Sequence, residues 1–283
     1  MPNLRLLRSL ARSPGFSLAV AGMLAIGTAA LATTFALADA AILRQPPFER
    51  AEDLVLLSTT RTNATGEARQ ERFSWPRVRL VSEQARSFET ISNHATTTLT
   101  LIGPTGATSA TGEIVGTSYF RMLRAKPIAG RFFLPDEDEA EGAHPVVVLS
   151  HDLWRDFFQG DTQTIGGTIR ANGVTLTIVG IAEPGFRGLS GRALFWIPTT
   201  MAPATSYPEY LTTNQNFISI AARLKANVSI QQARAELAVL GPRINTEAPS
   251  SQQGRIEPMS ATATSINEMR SEPSTRRSVL ALL

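Results

Sequence analysis

The sequence contains no cysteine, and this absence excludes several classes of function at once. Disulfide scaffolds, thiolate nucleophiles and cysteine-based zinc sites all require that residue. An oxidising compartment is compatible with such a chain. Its fold must then be held without covalent crosslinks.

Motifs for binding phosphate and metal ions are also lacking. There is no Gly-Lys pair, and therefore no G-x-x-x-x-G-K-[ST] loop that would cradle the phosphates of ATP. The chain has no H-E-x-x-H motif, and its three histidines are His94, His144 and His151. The last two lie across a predicted strand and helix cap, and we interpret them as surface or cap residues rather than metal ligands.

Two further segments resemble functional motifs only in part. In Asp136–Gly142, "DEDEAEG", Ala140 stands at the third ligand position of a calcium loop and no glutamate follows at the required distance, so we predict a solvated acidic loop. In "GFRGLSG", Gly191 directly follows Ser190, which is not the G-x-S-x-G nucleophile elbow, and we predict a flexible loop. The sequence therefore offers no catalytic, cofactor-binding or metal-binding residue, and we expect a protein that is not an enzyme and has no cofactor.

Charge is sparse and not clustered. Charged residues make up 18% of the chain, the formal net charge is +3, and the arginines are spread along the sequence. Nucleic-acid binding requires clustered basic residues with aromatic residues among them. We therefore expect no nucleic-acid partner.

One long uncharged segment is present, from Phe16 to Ala38. A helix needs about 20 apolar residues to cross the hydrocarbon core, whereas the apolar part of a signal peptide has about 7 to 15. The length favours a transmembrane helix that remains in the protein. The alternative is a cleaved signal peptide, because a basic leader precedes the segment and Ala38-Asp39-Ala40 resembles a cleavage site.

Basic residues on either side of this segment favour a cytoplasmic N-terminus only slightly. The chain ends in a second apolar run, Ser278–Leu283. This run is either a natural terminus or the beginning of a truncated second membrane helix. In the second case, one soluble region lies between two spans on the same side of the membrane.

Two strand–helix–strand units are predicted in the soluble region. In the first, the strand Asp53–Thr60 precedes a helix capped by Ser74, and a threonine-rich strand follows at Ile91–Ile102. In the second, the strand Asn216–Leu224 precedes a helix with a Ser229–Gln232 capping box, and "GRIEPMSATAT" is predicted to supply the strand that follows. The long separation of the units predicts one discontinuous domain with another inserted in it.

The insert has its own pattern of elements. Pro145–Leu149 is predicted as a buried strand, followed by a short helix capped by Ser150. Two runs rich in threonine, isoleucine and valine flank Asn172-Gly173, which predicts a β-hairpin with a type I′ turn. "FWIPTT" is predicted as a closing strand.

Several segments together resemble a known family of bacterial membrane proteins. They are "SPGF", "AILRQPPF", "GTSYFRMLRAKPIAGRFF", "VVVLSHDLWRDFF", "IGGTIRANGVTLTIVGIAEPGFRG" and "ARLKANVSIQQARAEL". The chain is similar over nearly its whole length to the ABC-transporter permeases of the MacB/FtsX-like group, in particular the large duplicated permeases of acidobacteria. It departs from them at Ala25–Ala30, "AIGTAA", and in lacking the later membrane helices.

The resemblance implies an α+β periplasmic domain with a discontinuous porter-like part and an inserted Sabre-like subdomain. The expected organisation is a cytoplasmic leader (1–15), a transmembrane helix (16–38), the first porter-like segment (50–112), the insert (113–205), the second porter-like segment (210–270) and the start of a truncated second transmembrane helix (276–283).

The expected function is that of a permease subunit that couples ATP hydrolysis by a partner to conformational change in the periplasm, for export or envelope signalling. The implied partners are a cytoplasmic ABC ATPase supplied in trans, a second copy or paired permease half, the lipid bilayer and a periplasmic adaptor. The implied location is the bacterial inner membrane. The alternative is a secreted binding or hydrolytic module behind a cleaved signal peptide.

Overall fold

The computed structural model of the chain describes residues 14–38, 48–62, 68–248, 251–252, 255–256 and 259–270. Nearly all of the predicted leader and the expected start of a second membrane helix (276–283) lie outside these described residues. The chain divides into two units, residues 1–46 with 267–283, and residues 47–266.

Helix α1 (Pro14–Ala38) is the described part of the first unit's N-terminal segment and has 25 residues. It carries no charged residue, and its side chains from Leu18 to Thr33 are all exposed. Thr28 and Thr33 donate hydrogen bonds to backbone carbonyls one turn earlier. Counting described residues alone, no helix is both long and apolar enough to cross a membrane. The predicted transmembrane segment 16–38 lies within helix α1. Its insertion in a membrane stays a prediction.

The second unit combines helices and strands, which agrees with the predicted α+β class. Its helices are α2 (Trp75–Gln84), α3 (Tyr119–Leu123), α4 (His151–Phe157), α5 (Ala202–Thr205) and α6 (Ile230–Glu247). A last helix, α7 (Ile266–Arg270), begins at the final residue of this unit and otherwise belongs to the first unit. The strands are β1 (Leu54–Thr62), β2 (Ala68–Glu71), β3 (Phe88–Gly103), β4 (Gly106–Val115), β5 (Pro127–Gly130), β6 (Val146–Leu149), β7 (Thr168–Ala171), β8 (Val174–Ala182), β9 (Phe195–Pro198), β10 (Ser219–Leu224), β11 (Ser251–Gln252), β12 (Arg255–Ile256) and β13 (Met259–Ser265).

Eleven of these strands form one mixed sheet. Its order is β13-β1-β10-β3-β4-β9-β6-β8-β5, with β2 paired to β1 and β7 paired to both β3 and β8. Strands β3 and β4 form the longest antiparallel ladder, from His94 opposite Val115 to Gly103 opposite Gly106. The sheet thus runs continuously from the predicted porter-like segments into the predicted insert. The division into subdomains at residues 113 and 205 stays a prediction.

The two predicted strand–helix–strand units are confirmed, and they interlock. In β1–α2–β3, strand β10 lies between the two strands; in β10–α6–β13, strand β1 lies between them. All four strands are antiparallel to their neighbours, which is the split β-α-β arrangement. We call these six elements the split β-α-β region.

The helices of this region bury the faces that their sequence periodicity predicts. On α2 and after it, Val78, Val81 and Ala85 are buried, and on α6 Leu237 and Ile244 are fully buried. The capping box predicted for α6 is present. Ser229 Oγ accepts a hydrogen bond from Gln232 N at 3.2 Å, and Gln232 Oε1 accepts one from Ser229 N at 2.8 Å.

The predicted elements of the insert are also found. Strand β6 is buried throughout, and Ser150 Oγ caps α4 by accepting a hydrogen bond from Leu153 N at 3.1 Å. Asn172 and Gly173 join β7 to β8 with φ angles of +46° and +90°, as a type I′ turn requires.

The sheet is covered on both faces, because successive side chains of the short strands belong to different cores. In β9, Phe195 and Ile197 lie in the main core, which also includes the buried faces of α2 and α6. Trp196 between them lies in a second core rich in aromatic rings. Since successive strand residues point to opposite faces, the two cores lie on opposite sides of the sheet.

Candidate functional site

Two cavities share walls beside helix α2, and we call them together the α2 groove. Their volumes are about 550 and 280 Å³, and both are lined by Trp75, Arg79 and Asp138. The remaining walls come from the rest of α2, from strand β3, from loops of the predicted insert and from Leu211. These include Pro76, Val78, Ser82, Glu83, Ile91, Ser92, Asn93, Gly116, Thr117, Ser118, Glu139, Glu141, Thr200 and Leu211.

One wall of the groove is the acidic segment Asp136–Gly142. It makes more hydrogen bonds within the protein than the predicted solvated loop would make. The side chain of Glu137 is buried and accepts two hydrogen bonds from Arg131, at 2.9 and 2.7 Å. A third comes from Leu134 N at 2.8 Å. These bonds lower the pKa of Glu137 against the effect of its burial. The prediction of a solvated loop is therefore wrong for Glu137, because a charge-assisted pair compensates its burial.

Asp138 is the titratable group that the groove perturbs most clearly. Its carboxylate accepts a hydrogen bond from Thr200 N at 2.9 Å. Burial raises the pKa of Asp138 to about 7, although the hydrogen bonds from Thr200 and Thr199 act in the opposite direction. A carboxyl group with this pKa takes up and releases a proton near neutral pH. Burial, and then the charge of Asp138, also raise the pKa of Tyr210.

A second buried carboxylate, Glu113, lies in the aromatic core, and its contacts define what we call the Glu113 centre. Oε2 accepts hydrogen bonds from Tyr119 Oη at 2.6 Å and from Trp196 Nε1 at 2.8 Å. Oε1 accepts one from Ser190 N at 2.7 Å, and Tyr119 Oη accepts one from Leu189 N at 2.7 Å. These bonds fix the "GFRGLSG" segment to the sheet, so that segment is an anchored loop.

Glycine is required at one position of this loop. Gly188 has a φ of +66°, and a Cβ atom there would lie 2.2 Å from Glu113 Oε2. Both the left-handed backbone and the close approach of the carboxylate therefore exclude a larger side chain. Both carboxylate oxygens of Glu113 accept hydrogen bonds from within the protein, and one of these bonds holds the loop at Ser190.

The three histidines are not brought together. Both ring nitrogens of His94 are buried without a hydrogen-bond partner, its ring lies 6.3 Å from that of Tyr119, and burial lowers its pKa. His151 begins α4 and contacts the ring of Trp154, and His144 precedes β6. In the part of the chain that the structure describes, no group of three or more histidine, aspartate or glutamate side chains could hold a metal ion.

Few local features of the sequence indicate that Asp138 or Glu113 is buried. Asp138 stands among other acidic residues, a few positions before the apolar strand β6. Its closeness to that strand in the sequence was the available signal for a partly buried carboxyl. Glu113 ends a run of threonine, glycine and alanine just before the apolar Ile114-Val115. A lone glutamate within a strand-like apolar context was the available signal for the centre.

The second unit is a mixed α+β domain, and one uncharged helix, α1, precedes it in the chain. A family model described as the MacB-like periplasmic core domain matches residues 17–240. Because this match covers more than half of the chain, the chain belongs to that family of permease periplasmic domains. This confirms the family that the sequence motifs indicated.

Solved structures of related domains show the same fold. A domain of a putative permease protein from Porphyromonas gingivalis matches with a TM-score of 0.59 and 16% identity, over 78% of this chain and 93% of that chain. The periplasmic region of MacB from Actinobacillus actinomycetemcomitans matches with a TM-score of 0.55 and 14% identity, over 78% and 92%. The extracellular domain of the noncanonic ABC-type transporter YknZ from Gram-positive bacteria matches with a TM-score of 0.53 and 12% identity, over 75% of this chain and 99% of that chain. No curated protein matches the chain.

Proposed function

We propose that this chain is the permease subunit of a bacterial ABC transporter, anchored by α1 in the inner membrane with its α+β domain in the periplasm. The observation that carries the proposal is the family match over residues 17–240. The absence of charged residues from α1 supports the anchor.

In this proposal the chain is a coupling protein and does not hydrolyse ATP. It has no phosphate-binding loop, so ATP is bound by a separate cytoplasmic ATPase, and a second copy or a paired permease half completes the membrane part. Nucleotide binding shifts an equilibrium between two conformations of the periplasmic domain, and this requires that the partner bind the two conformations with different affinity. Export and envelope signalling are both served by such a shift.

The width of the α2 groove is the quantity by which this conformational shift can be measured. One wall, α2, belongs to the predicted porter-like part, and the other, with Asp138 and Thr200, belongs to the predicted insert. A movement of one part against the other changes the width of the groove. A carboxyl with a pKa of about 7 in one wall would make the width sensitive to pH as well.

The test uses spin labels on the two walls, at Arg79→Cys and Glu141→Cys, in a chain that has no other cysteine. Both positions are exposed. The labelled chain is isolated from its native cells in mild detergent, together with the ATPase that co-purifies. The distance between the two spin labels is then measured with and without ATP and vanadate. We expect the distance distribution to change. A control pair within the split β-α-β region, Glu83→Cys with the exposed Val239→Cys, should not change.

An unchanged distance between the labels across the groove, or isolation without any ATPase, would contradict the coupling role.

Location is tested separately with single cysteines and a membrane-impermeant maleimide applied to spheroplasts. Thr175→Cys, an exposed strand position beside the hairpin, should be labelled at once, whereas Asn3→Cys should be labelled only after lysis. The reverse pattern would place the domain in the cytoplasm. A mature protein that begins at Ala41 would support the secreted alternative.

A further inference from the structure

The segment Phe48–Asp53 follows α1 in the chain and precedes β1, and we call it the exit segment. It contains no regular element except a 3-10 turn at Ala51–Asp53. Arg50 adopts a left-handed conformation with a φ of +50°, which is uncommon for a non-glycine residue. A short irregular segment in such a conformation needs contacts from elsewhere to hold it.

One buried side chain supplies most of these contacts. Arg223 of β10 is 1% exposed. Its Nη2 donates a hydrogen bond to Glu49 O at 3.0 Å, and its Nη1 donates one to Arg50 O at 3.0 Å. Its Nε donates to Met122 O at 2.8 Å, near the end of α3. A single guanidinium thus joins the exit segment, β10 and α3.

The choice of arginine at this position follows from geometry. The planar guanidinium carries donors that point in different directions, and here three of its nitrogens reach carbonyl oxygens of two separate chain segments. Its charge is balanced by Asp53, whose Oδ2 lies 3.8 Å from Arg223 Nη1 and 2.7 Å from Arg50 Nη2. A lysine ammonium at the same place could not span all three carbonyls.

Two further contacts tie the exit segment to the predicted insert. Glu49 accepts a hydrogen bond from Arg124 Nη1 at 2.8 Å, just beyond the end of α3. The ring of Phe48 meets that of Phe186 edge to face at 6.5 Å, and Phe186 belongs to the aromatic core. The exit segment is therefore held by α3 and the aromatic core as well as by β10.

We propose that Arg223 is a latch that passes displacement of the exit segment to the insert, so that the two move as one body. The proposal rests on the coupling role proposed above and names the contact by which coupling enters the domain. Displacement at residues 48–53 reaches α3 through Met122 and Arg124, and through α3 it reaches the aromatic core and the insert wall of the α2 groove. Without the latch, the exit segment would keep only the partly exposed Glu49–Arg124 ion pair and the Phe48–Phe186 contact, and we expect these to be too weak to move the insert.

The first test measures the latch itself. Spin labels at Glu52→Cys and Arg121→Cys, two exposed positions on the exit segment and on α3, should give one narrow distance distribution. The distribution should stay narrow with ATP and vanadate. Arg223→Met should broaden it at least twofold, and Arg223→Lys should have an intermediate effect. A distribution that remains narrow in both variants would overturn the latch.

Arg77→Met is the matched control. Arg77 is also fully buried and also donates to a carbonyl and two side-chain amides, Ala248 O, Asn216 Oδ1 and Asn245 Oδ1, but it does not contact the exit segment. It should lower the thermal stability without broadening the Glu52–Arg121 distance. Equal broadening in Arg77→Met and Arg223→Met would show a general loosening and would overturn the specific role of Arg223. Arg223→Lys keeps the charge and serves as the test if Arg223→Met does not fold.

The second test joins the latch to the groove. In the Arg79–Glu141 labelled chain, we expect Arg223→Met to abolish the change caused by ATP and vanadate while the co-purified ATPase still hydrolyses ATP. If the change persists in Arg223→Met, the latch is overturned and the proposed coupling role stands. If the change is absent in the chain with Arg223 intact, the coupling role itself fails, and the relay through Arg223 fails with it.

Discussion

The split β-α-β region and the Glu113 centre lie in the same sheet, yet they are stabilised in different ways. The first buries regular apolar stripes of α2 and α6 on strands with alternating burial. The second packs large aromatic rings around a buried carboxylate, with Phe120 5.5 Å and Phe186 5.2 Å from the ring of Trp196. The first distributes its stabilisation over many small contributions, whereas the second concentrates it in a few hydrogen bonds.

This difference has a consequence for mutation. A single apolar contact in the split β-α-β region has many neighbours that still exclude water when it is removed. In the Glu113 centre, one carboxylate accepts hydrogen bonds from three buried or partly buried donors, Tyr119 Oη, Trp196 Nε1 and Ser190 N. Removal of one group there leaves several buried polar atoms unpaired.

The largest effect is therefore expected from Glu113→Ala. It removes the carboxylate that accepts hydrogen bonds from Tyr119 Oη, Trp196 Nε1 and Ser190 N and opens a cavity, so we expect a loss of about 3 to 5 kcal/mol in the free energy of unfolding. The measurement is urea unfolding of the chain purified in detergent, followed by tryptophan fluorescence. Glu113→Gln keeps one acceptor oxygen and should lose roughly half as much. A loss below about 1 kcal/mol for Glu113→Ala would mean that the centre does not concentrate stability as argued.

The same contrast explains how much could be predicted from the sequence. The split β-α-β region follows from local signals: the periodicity of Ala233, Leu237, Leu240 and Ile244 predicts the buried face of α6, and Ser229 predicts its start. Each signal lies within a few residues of the element that it specifies. Two such units then determine which strands become neighbours.

The Glu113 centre depends on residues far apart in the chain, and so no local pattern indicates it. Glu113 and Trp196 are 83 positions apart, and Glu113 and Ser190 are 77 apart. Asp138 and Arg223 were missed for the same reason, since the partner of Asp138 is Thr200 and those of Arg223 include Glu49 and Arg50. The burial of Arg77, in the first turn of α2, was also not predicted. This burial, together with the nearby charge of Arg61, lowers the pKa of Arg77 to about 10.

A smaller effect is expected at Asp138, which lies outside both regions in the wall of the α2 groove opposite helix α2. Its folded pKa of about 7 lies above the value of about 3.9 for an unfolded aspartate, so the folded state binds the proton more tightly. The stability that this provides is present at low pH and is lost as the pH rises through about 7.

Asp138→Asn removes the ionisation and keeps an oxygen that can accept from Thr200 N. After allowance for the partial exposure of the side chain, we expect its stability relative to the unmodified chain to rise by about 2 kcal/mol between pH 5 and pH 8. The exposed neighbour Asp136→Asn is the control for the general effect of removing a charge. Parallel pH profiles for Asp138→Asn and the unmodified chain would contradict the assigned pKa.

The smallest effect is expected from a helix cap in the split β-α-β region, and a matched pair of serines sharpens the contrast with the Glu113 centre. Ser229 and Ser74 both stand at N-cap positions, but only Ser229 accepts a hydrogen bond from the first turn of its helix. Ser229→Ala should cost about 1 kcal/mol in the free energy of unfolding, because a backbone N–H loses its acceptor. The hydroxyl of Ser74 is buried without a hydrogen-bond partner, so Ser74→Ala should cost less than about 0.5 kcal/mol or stabilise the chain slightly. Equal losses in the two variants would mean that the cap of α6 contributes through packing alone. A loss at Ser229 as large as that at Glu113 would remove the distinction between distributed and concentrated stabilisation.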